Sequence, residues 1–366
     1  MIIAKKGHRP DYIFIFCVVI LVIFGLIMLS SASSDIGKIK FNDTYYYLEH
    51  QIIYGLILGI IGFLIAGKIN YKNFKRISIF LLAINVILLI LLFTPLGADY
   101  KGSNRWLNLG SISVQPSEFL KISFIIYLAA LLSKKTKQSN IFEGLLPFLI
   151  TSSFIAFLVL KQPATTTVAI IIASALVVYF LSGAKLFHII GVAVLGIILL
   201  SVVIYISPYR YQRIMTYFDS EKNIQTTGYQ INQSLMAIGS GGLFGVGFGQ
   251  STTKYKYLPE PIGDSIFAVI AEELGFIGSI FLLGIYIILF IRGFLIAQNS
   301  SDQFARLTAI GFISIIVVQT FVHIASSVGF LPVTGVPLPF ISYGGTSLAV
   351  FLTMTGIIVN ISKYTS

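Results

Sequence analysis

Asp264 is the residue of this 366-residue chain best placed to do acid–base chemistry. It follows a glycine-rich stretch and Leu258-Pro259-Glu260, and it stands directly before a long apolar run. A carboxylate at the edge of hydrocarbon is costly, so a function should explain its presence. We predict that Asp264 is a general base at the membrane surface. The alternative is an N-cap, because aspartate before an apolar helix accepts its first free N–H groups; the two roles are compatible.

Three more acids lie close to Asp264 in sequence. Glu272 and Glu273 fall about two turns into the following helix, at hydrocarbon depth, where acids pair with a cation or with backbone. A structural pairing role and a catalytic role stay equally open for both. Glu260 lies in the preceding loop, where it can contact a substrate or be an ordinary solvated charge.

Basic residues supply candidate partners for phosphate. Glu118 and Lys121 have the i, i+3 spacing of a helical ion pair. Lys121 lies a full turn inside an apolar run, where Glu118 alone leaves the ammonium incompletely compensated, so a phosphate is one candidate partner. Arg105, Arg210 and Arg213 suit bidentate phosphate contacts; the alternative is that they anchor the chain among lipid headgroups.

The glycines at 239–249 do not form a nucleotide site. No Gly-Lys followed by Ser or Thr comes after them, and no strand precedes them, so neither a P-loop nor a dinucleotide fingerprint fits. Tight turns and close backbone approach explain glycine at this density.

Membrane helices must position these residues. The chain is 56% hydrophobic and 11% charged, against roughly 25% charged in a soluble domain. Runs of about 18 apolar residues are long enough to span a bilayer. We therefore predict an all-α integral membrane protein with about ten transmembrane helices, at 13–31, 50–67, 77–94, 118–133, 144–160, 165–182, 186–206, 265–291, 307–328 and 345–362. The first is too long for a signal-peptide core and is interpreted as a retained anchor.

Lys and Arg in the short connections predict that both termini lie inside. Lys68, Lys72 and Arg292 are among the residues that then face inward. The formal charge of +11 reflects this bias and attraction to anionic lipid. No contiguous basic face is evident, so nucleic acid is not an expected partner.

Three long connections then face outside, at 94–117, 207–264 and 329–345. The second joins helices 7 and 8, and its residues 229–239 have the spacing of a helix. Irregular backbone near a membrane is tolerated where it lines a cavity. We predict a single membrane domain over 1–366, in which the three loops form one outward-facing active-site cavity.

Four motifs in order along nearly the whole chain resemble those of the SEDS family (shape, elongation, division and sporulation), whose branches are FtsW, RodA and SpoVE. They are Asn104–Leu107 with Gln115–Lys121, Gln233–Gly242, Leu258–Glu260 with Asp264 and Ile266–Ala268, and Leu331–Gly335 with Leu338–Gly345. The pattern is closer to FtsW or SpoVE than to RodA.

The resemblance implies a peptidoglycan glycosyltransferase in the bacterial inner (cytoplasmic) membrane, with its active site facing outside. The implied substrate is lipid II, a disaccharide-pentapeptide on undecaprenyl pyrophosphate, which is polymerised into glycan strands for cell division and wall synthesis. The implied partners are a class B penicillin-binding protein and other divisome or elongasome proteins. Asp264 matches the family's essential aspartate.

In the implied reaction, Asp264 takes the proton of the acceptor hydroxyl and undecaprenyl pyrophosphate leaves. The candidate substrate-binding residues are Arg105, Glu118, Lys121, Arg210, Arg213, Glu260 and Ser342, with Lys121 and Arg210 favoured for the pyrophosphate. No cofactor is firmly indicated. A divalent cation, Mg²⁺ or Mn²⁺, at the pyrophosphate is compatible with the chemistry, although no ligand cluster demands one.

Two other classes of function stay open, a lipid II flippase and a non-catalytic division scaffold. A flippase needs access from both faces and no base at one face, so Asp264 at the outer surface favours the enzyme. The chain also departs from the family pattern. No His accompanies Asp264, Ala164 follows Gln162-Pro163 where the family has Asp, and His323 stands where Asn is common.

Overall fold

The computed structural model describes residues 8–95, 97–100, 103–108, 113–133, 141–218, 227–255 and 257–365. Over these residues the fold is mostly helical. The helices are α1 (Tyr12–Phe41), α2 (Tyr46–His50), α3 (Leu58–Lys68), α4 (Tyr71–Leu91), α5 (Pro116–Leu132), α6 (Leu146–Leu160), α7 (Thr165–Leu181), α8 (Leu186–Ile206), α9 (Pro208–Phe218), α10 (Thr227–Ser240), α11 (Ile266–Gln298), α12 (Gln303–Ser327) and α13 (Gly345–Ser362). A π-helical segment, Gln51–Ile57, joins α2 to α3, and another, Ile141–Leu145, leads into α6.

Eight helical segments within the described residues are long and apolar enough to cross a bilayer. One of them runs through α2 and α3 as Tyr46–Lys68, and another ends with α6 as Phe142–Leu160. The shorter apolar α7 and the 17-residue α5 occupy two more predicted spans. A helix therefore stands at each of the ten predicted positions, and the all-α membrane fold is confirmed. The number of crossings and their orientation stay predictions.

Helices α12 and α13 form the centre of the bundle. In their most apolar stretches 67% and 78% of the residues are buried, against 0% in α8. A helix such as α8, which exposes apolar side chains along its whole length, must face lipid rather than water. Buried polar side chains on α12 and α5 therefore lie in the middle of the protein, where they need partners.

A small sheet was not anticipated in the loop predicted at 94–117. Strands β1 (Gly97–Tyr100), β2 (Ser103–Asn108) and β3 (Ser113–Val114) pair antiparallel in the order β1-β2-β3. Leu107 of β2 stands opposite both Gly97 and Val114. The strands are too short and too rich in Gly, Ser and Asn to give a clear alternating pattern. β2 packs against α5 and carries Arg105.

The glycine-rich stretch fills a break in α11. At Gly275 the backbone leaves the helical region, with φ 68° and ψ −167°. Four backbone hydrogen bonds re-pair the freed groups: Val246 N to Glu272 O (3.0 Å), Gly247 N to Glu273 O (3.0 Å), Phe276 N to Gly242 O (2.9 Å) and Ile277 N to Leu243 O (3.1 Å). A Cβ added at Gly245 would lie 2.2 Å from Glu273 O, so only glycine fits there. The prediction of close backbone approach is confirmed.

Candidate functional site

Asp264 is half-buried in the turn that precedes α11. The helix begins at Ile266 and its N-cap is Ser265, so the prediction that Asp264 is the N-cap is wrong by one residue. The Ser265 hydroxyl accepts a hydrogen bond from Gln230 of α10 (3.1 Å) and donates one to Pro259 O (2.9 Å). These two bonds fix the turn that presents the carboxylate. The predicted helix at 229–239, which supplies Gln230, is confirmed as α10.

Loop 329–345, which was predicted to face outward, passes beside Asp264. A Cβ added at Gly335 would lie 3.6 Å from Asp264 Oδ2, an ordinary van der Waals contact, so the backbone of the loop passes close to the carboxylate. Ser342, a predicted substrate-binding residue, is 4% exposed. Its hydroxyl accepts from Leu338 N (2.8 Å) and donates to Gly263 O (2.8 Å). In this structure Ser342 therefore joins the loop to the turn that carries Asp264.

Two side chains of helix α12 make hydrogen bonds to backbone carbonyls of the same loop. Gln319 Nε2 donates to Pro337 O (2.8 Å), and His323 Nδ1 makes a 2.8 Å bond with Val336 O. Because a carbonyl only accepts, Nδ1 of His323 carries the proton in this contact. Both side chains are fully buried. The two residues that follow Gly335, Val336 and Pro337, are thus held by the helix, which limits how far the loop can move from Asp264.

Lys121 and Glu118 form the predicted ion pair, with 2.6 Å between Nζ and Oε1. They are only 1% and 3% exposed. Lys121 Nζ also donates to Gln319 Oε1 at 2.8 Å and lies 5.2 Å from the centre of the Phe351 ring. The second partner that a buried ammonium requires is therefore Gln319 in this structure. Through Gln319, Lys121 is linked to the loop beside Asp264.

We expect Gln319→Leu to loosen loop 329–345, because it removes the donor to Pro337 O and the acceptor of Lys121 Nζ together. A buried polar group left without its partner costs about 1–3 kcal/mol. Gln319→Glu keeps an acceptor for Lys121 but loses the donor to Pro337. Hydrogen exchange of the loop amides should accelerate in both variants, and the melting temperature should fall further with leucine. Unchanged exchange in both variants would show that α12 does not hold the loop through this side chain.

Arg105 on β2 and Arg210 on α9 meet at the turn between α6 and α7. Arg105 donates from Nε to Gln162 O (3.0 Å) and from Nη2 to Pro163 O (2.5 Å), and Arg210 Nη2 donates to Leu160 O (3.1 Å). Cationic side chains at a helix C-terminus stabilise its free carbonyls. The Gln162 amide is 1% exposed, and neither of its polar atoms has a partner among the described residues. Two predicted phosphate ligands thus converge at one turn.

The two remaining candidate substrate-binding residues, Arg213 and Glu260, lie near loop 329–345 and the turn of Asp264. Arg213 is half-buried on α9, a helix tied to loop 329–345 by a 3.0 Å hydrogen bond from the Tyr217 hydroxyl. Glu260 is exposed, and its backbone has a left-handed conformation with φ 48°. Its carbonyl accepts from Ser265 N (3.2 Å), so its side chain stands at the surface of the turn that carries Asp264.

Glu272 and Glu273 are held by buried donors. Their exposures are 1% and 0%. The donors include Ser251 Oγ (2.5 Å) and Thr252 N (3.0 Å) for Glu272, and Ser31 Oγ (2.6 Å) and Lys254 Nζ (2.8 Å) for Glu273. Of the two roles that the sequence left open, the structure favours pairing. The pairing fastens loop 251–258 to α11 and to α1.

Sequence reasoning missed Ser31 and Gln319, and it did not connect Lys254 with Glu273. The available signal was a polar side chain in the middle of an apolar run, because such a residue faces the interior and needs a partner. Within the described residues, no three or more His, Cys, Asp and Glu side chains group so as to hold a metal ion.

Known proteins share both the sequence and the fold of this chain. A model of the FtsW/RodA/SpoVE cell cycle protein family matches residues 11–366. Stage V sporulation protein E of Bacillus subtilis (strain 168) is 37% identical over 364 residues, with 99% of each chain covered. The probable peptidoglycan glycosyltransferase FtsW of Trichlorobacter lovleyi is 37% identical over 368 residues, covering 98% of this chain and 96% of its own.

Two solved structures resemble the chain over almost its full length. One, at 25% identity and a TM-score of 0.82, belongs to a peptidoglycan synthase complex, and 98% of this chain and 99% of that chain are covered. The other, at 25% identity and a TM-score of 0.73, is the rod shape determining protein RodA of Thermus thermophilus, with 96% of each chain covered. The chain belongs to the FtsW/RodA/SpoVE family of cell cycle proteins, the SEDS family that its motifs resemble.

Proposed function

We propose that this chain is a peptidoglycan glycosyltransferase that polymerises lipid II at the outer face of the bacterial cytoplasmic membrane, with both termini inside. One observation carries the proposal. Asp264 is a half-buried carboxylate on a hydrogen-bonded turn, next to Gly335 of loop 329–345. The activity named for the FtsW relative supports the same chemistry.

Asp264 acts as the general base of the transfer. It accepts the proton of the GlcNAc 4-hydroxyl of the acceptor as that oxygen bonds to C1 of the donor MurNAc. The bond from C1 to the pyrophosphate oxygen breaks, C1 inverts, and undecaprenyl pyrophosphate leaves with the electron pair. A positioned base of this kind contributes about 10²–10⁴-fold to the rate.

Arg105 and Arg210 are the residues we favour for the pyrophosphate. Both reach the turn between α6 and α7, where backbone carbonyls orient their guanidinium groups. The Leu160 carbonyl that Arg210 contacts is neutral and does not cancel the charge of the guanidinium. Position 164 of the same turn is Ala, where the family has Asp, so it supplies no acid either. Lys121 is buried against Glu118 and Gln319, so we assign it to holding the loop. Ser342, whose buried hydroxyl bonds Leu338 N and Gly263 O, is likewise assigned to holding the loop. Arg213 and Glu260 stay candidates for contact with the sugars and the peptide.

The proposal includes a class B penicillin-binding protein as partner, together with other divisome or elongasome proteins. The similar solved chain comes from a complex that coordinates polymerization and crosslinking, which supports a partner of this kind. A divalent cation, Mg²⁺ or Mn²⁺, would be carried by the pyrophosphate, because the described residues form no cluster able to hold one.

Purified protein with its class B partner and labelled lipid II provides the test. We expect glycan polymer to appear on a gel only when this chain is present. Passage of lipid II across vesicles without polymer would make the chain a flippase. Normal binding of the partner with neither polymer nor passage would make it a scaffold. Either of the last two results overturns the enzymatic proposal.

A further inference from the structure

A pocket of about 420 Å³ with polar and apolar lining lies at the end of the bundle where His8 and Thr365 meet. Its walls are residues 8–13, the last turns of α11 with Arg292 and Asn299, and the end of the chain with Ser362 and Thr365. Asp264 stands before the opposite end of the 33-residue α11. At about 1.5 Å per residue, roughly 40 Å of helix separates the two sites. The pocket is therefore not part of the candidate active site.

Hydrogen bonds between the two ends of the chain build the pocket wall. His8 N donates to Lys363 O (2.8 Å), and Asp11 N donates to the Ser362 hydroxyl (3.1 Å). The His8 ring also lies 3.0 Å from the Thr365 hydroxyl. A wall tied at three points is preformed, so a ligand does not have to order it on binding.

Among the described residues that line the pocket, one positive charge has no partner. Arg292 is paired with Asp11 through Nε (3.1 Å) and through Nη2, so these two charges offset each other. The Arg292 side chain nevertheless stays 34% exposed. Arg9 is exposed, and its guanidinium has no hydrogen-bond or ion-pair partner among the described residues. An anion fits this balance, and a guanidinium suits a phosphate group in particular.

The rim of the pocket is apolar. Tyr12 and Ile13 line it and are 62% and 50% exposed at the start of α1. Both belong to a helix apolar enough to cross a bilayer, so these side chains face the lipid. Leu295 and Ile296 continue the apolar lining on α11. A fitting ligand therefore combines a negatively charged head with an apolar tail.

We propose that this pocket binds the headgroup phosphate of an anionic phospholipid. Arg9 contacts the phosphate, the Arg292–Asp11 pair lines the base, and the acyl chains run along Tyr12 and Ile13. Basic pockets between membrane helices on the cytoplasmic side bind anionic lipid headgroups in this way. A free phosphate shares the charge but makes no use of the apolar rim. The bound lipid would join the start of α1 to the ends of α11 and α13.

Native mass spectrometry of the full chain in detergent tests the site, with phosphatidylglycerol and phosphatidylcholine as probes. We expect phosphatidylglycerol to be retained in preference to phosphatidylcholine. Arg9→Gln should reduce its retention about fivefold, the effect of one basic residue near an anionic headgroup. Arg76→Gln, at an exposed arginine of α4 near the same end of the bundle, should change nothing. Since Arg9 is exposed, its substitution should leave the melting temperature unchanged.

Three results would overturn the proposal. The first is equal retention of the two lipids by the unsubstituted chain. The second is retention of phosphatidylglycerol unchanged by Arg9→Gln. The third is its displacement by inorganic phosphate at equal concentration, which would mean that the charge alone is recognised and that the ligand is a free phosphate. Tyr12→Ser further distinguishes a lipid from a free phosphate as the ligand, because it should weaken retention of phosphatidylglycerol and leave binding of phosphate unaffected.

Discussion

Replacing Asp264 with asparagine should abolish glycan polymerisation and leave the fold intact. Asparagine has nearly the same shape but cannot take the proton of the acceptor hydroxyl, so the rate should fall about 10²–10⁴-fold. The initial rate of polymer formation from labelled lipid II, with the class B partner present, measures the effect. Asparagine keeps the size and one acceptor oxygen of the half-buried Asp264, so we expect the melting temperature to stay close to that of the unsubstituted chain.

A matched control variant and separate measurements of kcat and KM make the Asp264 test decisive. Asp43 lies in the turn that follows α1, and its carboxylate accepts a 2.9 Å hydrogen bond from Tyr45 N. The control variant Asp43→Asn should leave the rate of polymerisation unchanged. A base acts in the chemical step, so Asp264→Asn should lower kcat with little change in KM. Polymerisation at the unsubstituted rate would refute the catalytic assignment. A change confined to KM would make Asp264 a substrate-binding residue instead.

The helices could be predicted from the sequence because apolar runs of bilayer length have few other interpretations. Their ends could not. Helix α1 runs to Phe41, ten residues beyond the predicted 13–31, and α11 runs to Gln298 instead of ending at 291. Hydropathy falls where a helix leaves the hydrocarbon, although its backbone hydrogen bonds continue. The break at Gly275 was also missed, because a glycine inside an apolar run does not show which segment will pair with the freed groups.

The partners of the site residues were the least predictable part. The sequence shows that buried Lys121 needs more than Glu118, but Gln319 is 198 residues away and one of many possible acceptors. In the same way, Arg105 and Arg210 carry no sequence sign that they reach the same turn. Such contacts follow from helix packing, which a single sequence does not specify. Asp264 was identifiable because its position before an apolar run is itself unusual.

Lys254→Met should be the most destabilising substitution around the site. Lys254 is 3% exposed and pairs with Glu273 at 2.8 Å, while Glu273 Oε2 has no donor among the described residues. Without the lysine, Glu273 keeps its hydrogen bond from the Ser31 hydroxyl but loses the only cation that pairs with it among the described residues. Breaking a buried ion pair by removing one partner costs about 3–5 kcal/mol. Thermal unfolding in detergent measures the loss, and Lys185→Met, at an exposed lysine, provides the control.

The Lys254→Met/Glu273→Gln double variant separates a positioning role from a chemical one. It removes both charges and keeps a polar side chain opposite Ser31, so it should regain most of the stability that Lys254→Met loses. A loss that simply adds to that of Glu273→Gln would contradict the pairing. Because loop 251–258 leads directly into the turn of Asp264, polymerisation should return together with stability if the pair only positions that turn. A stable but inactive double variant would instead show that the charges themselves act on the substrate.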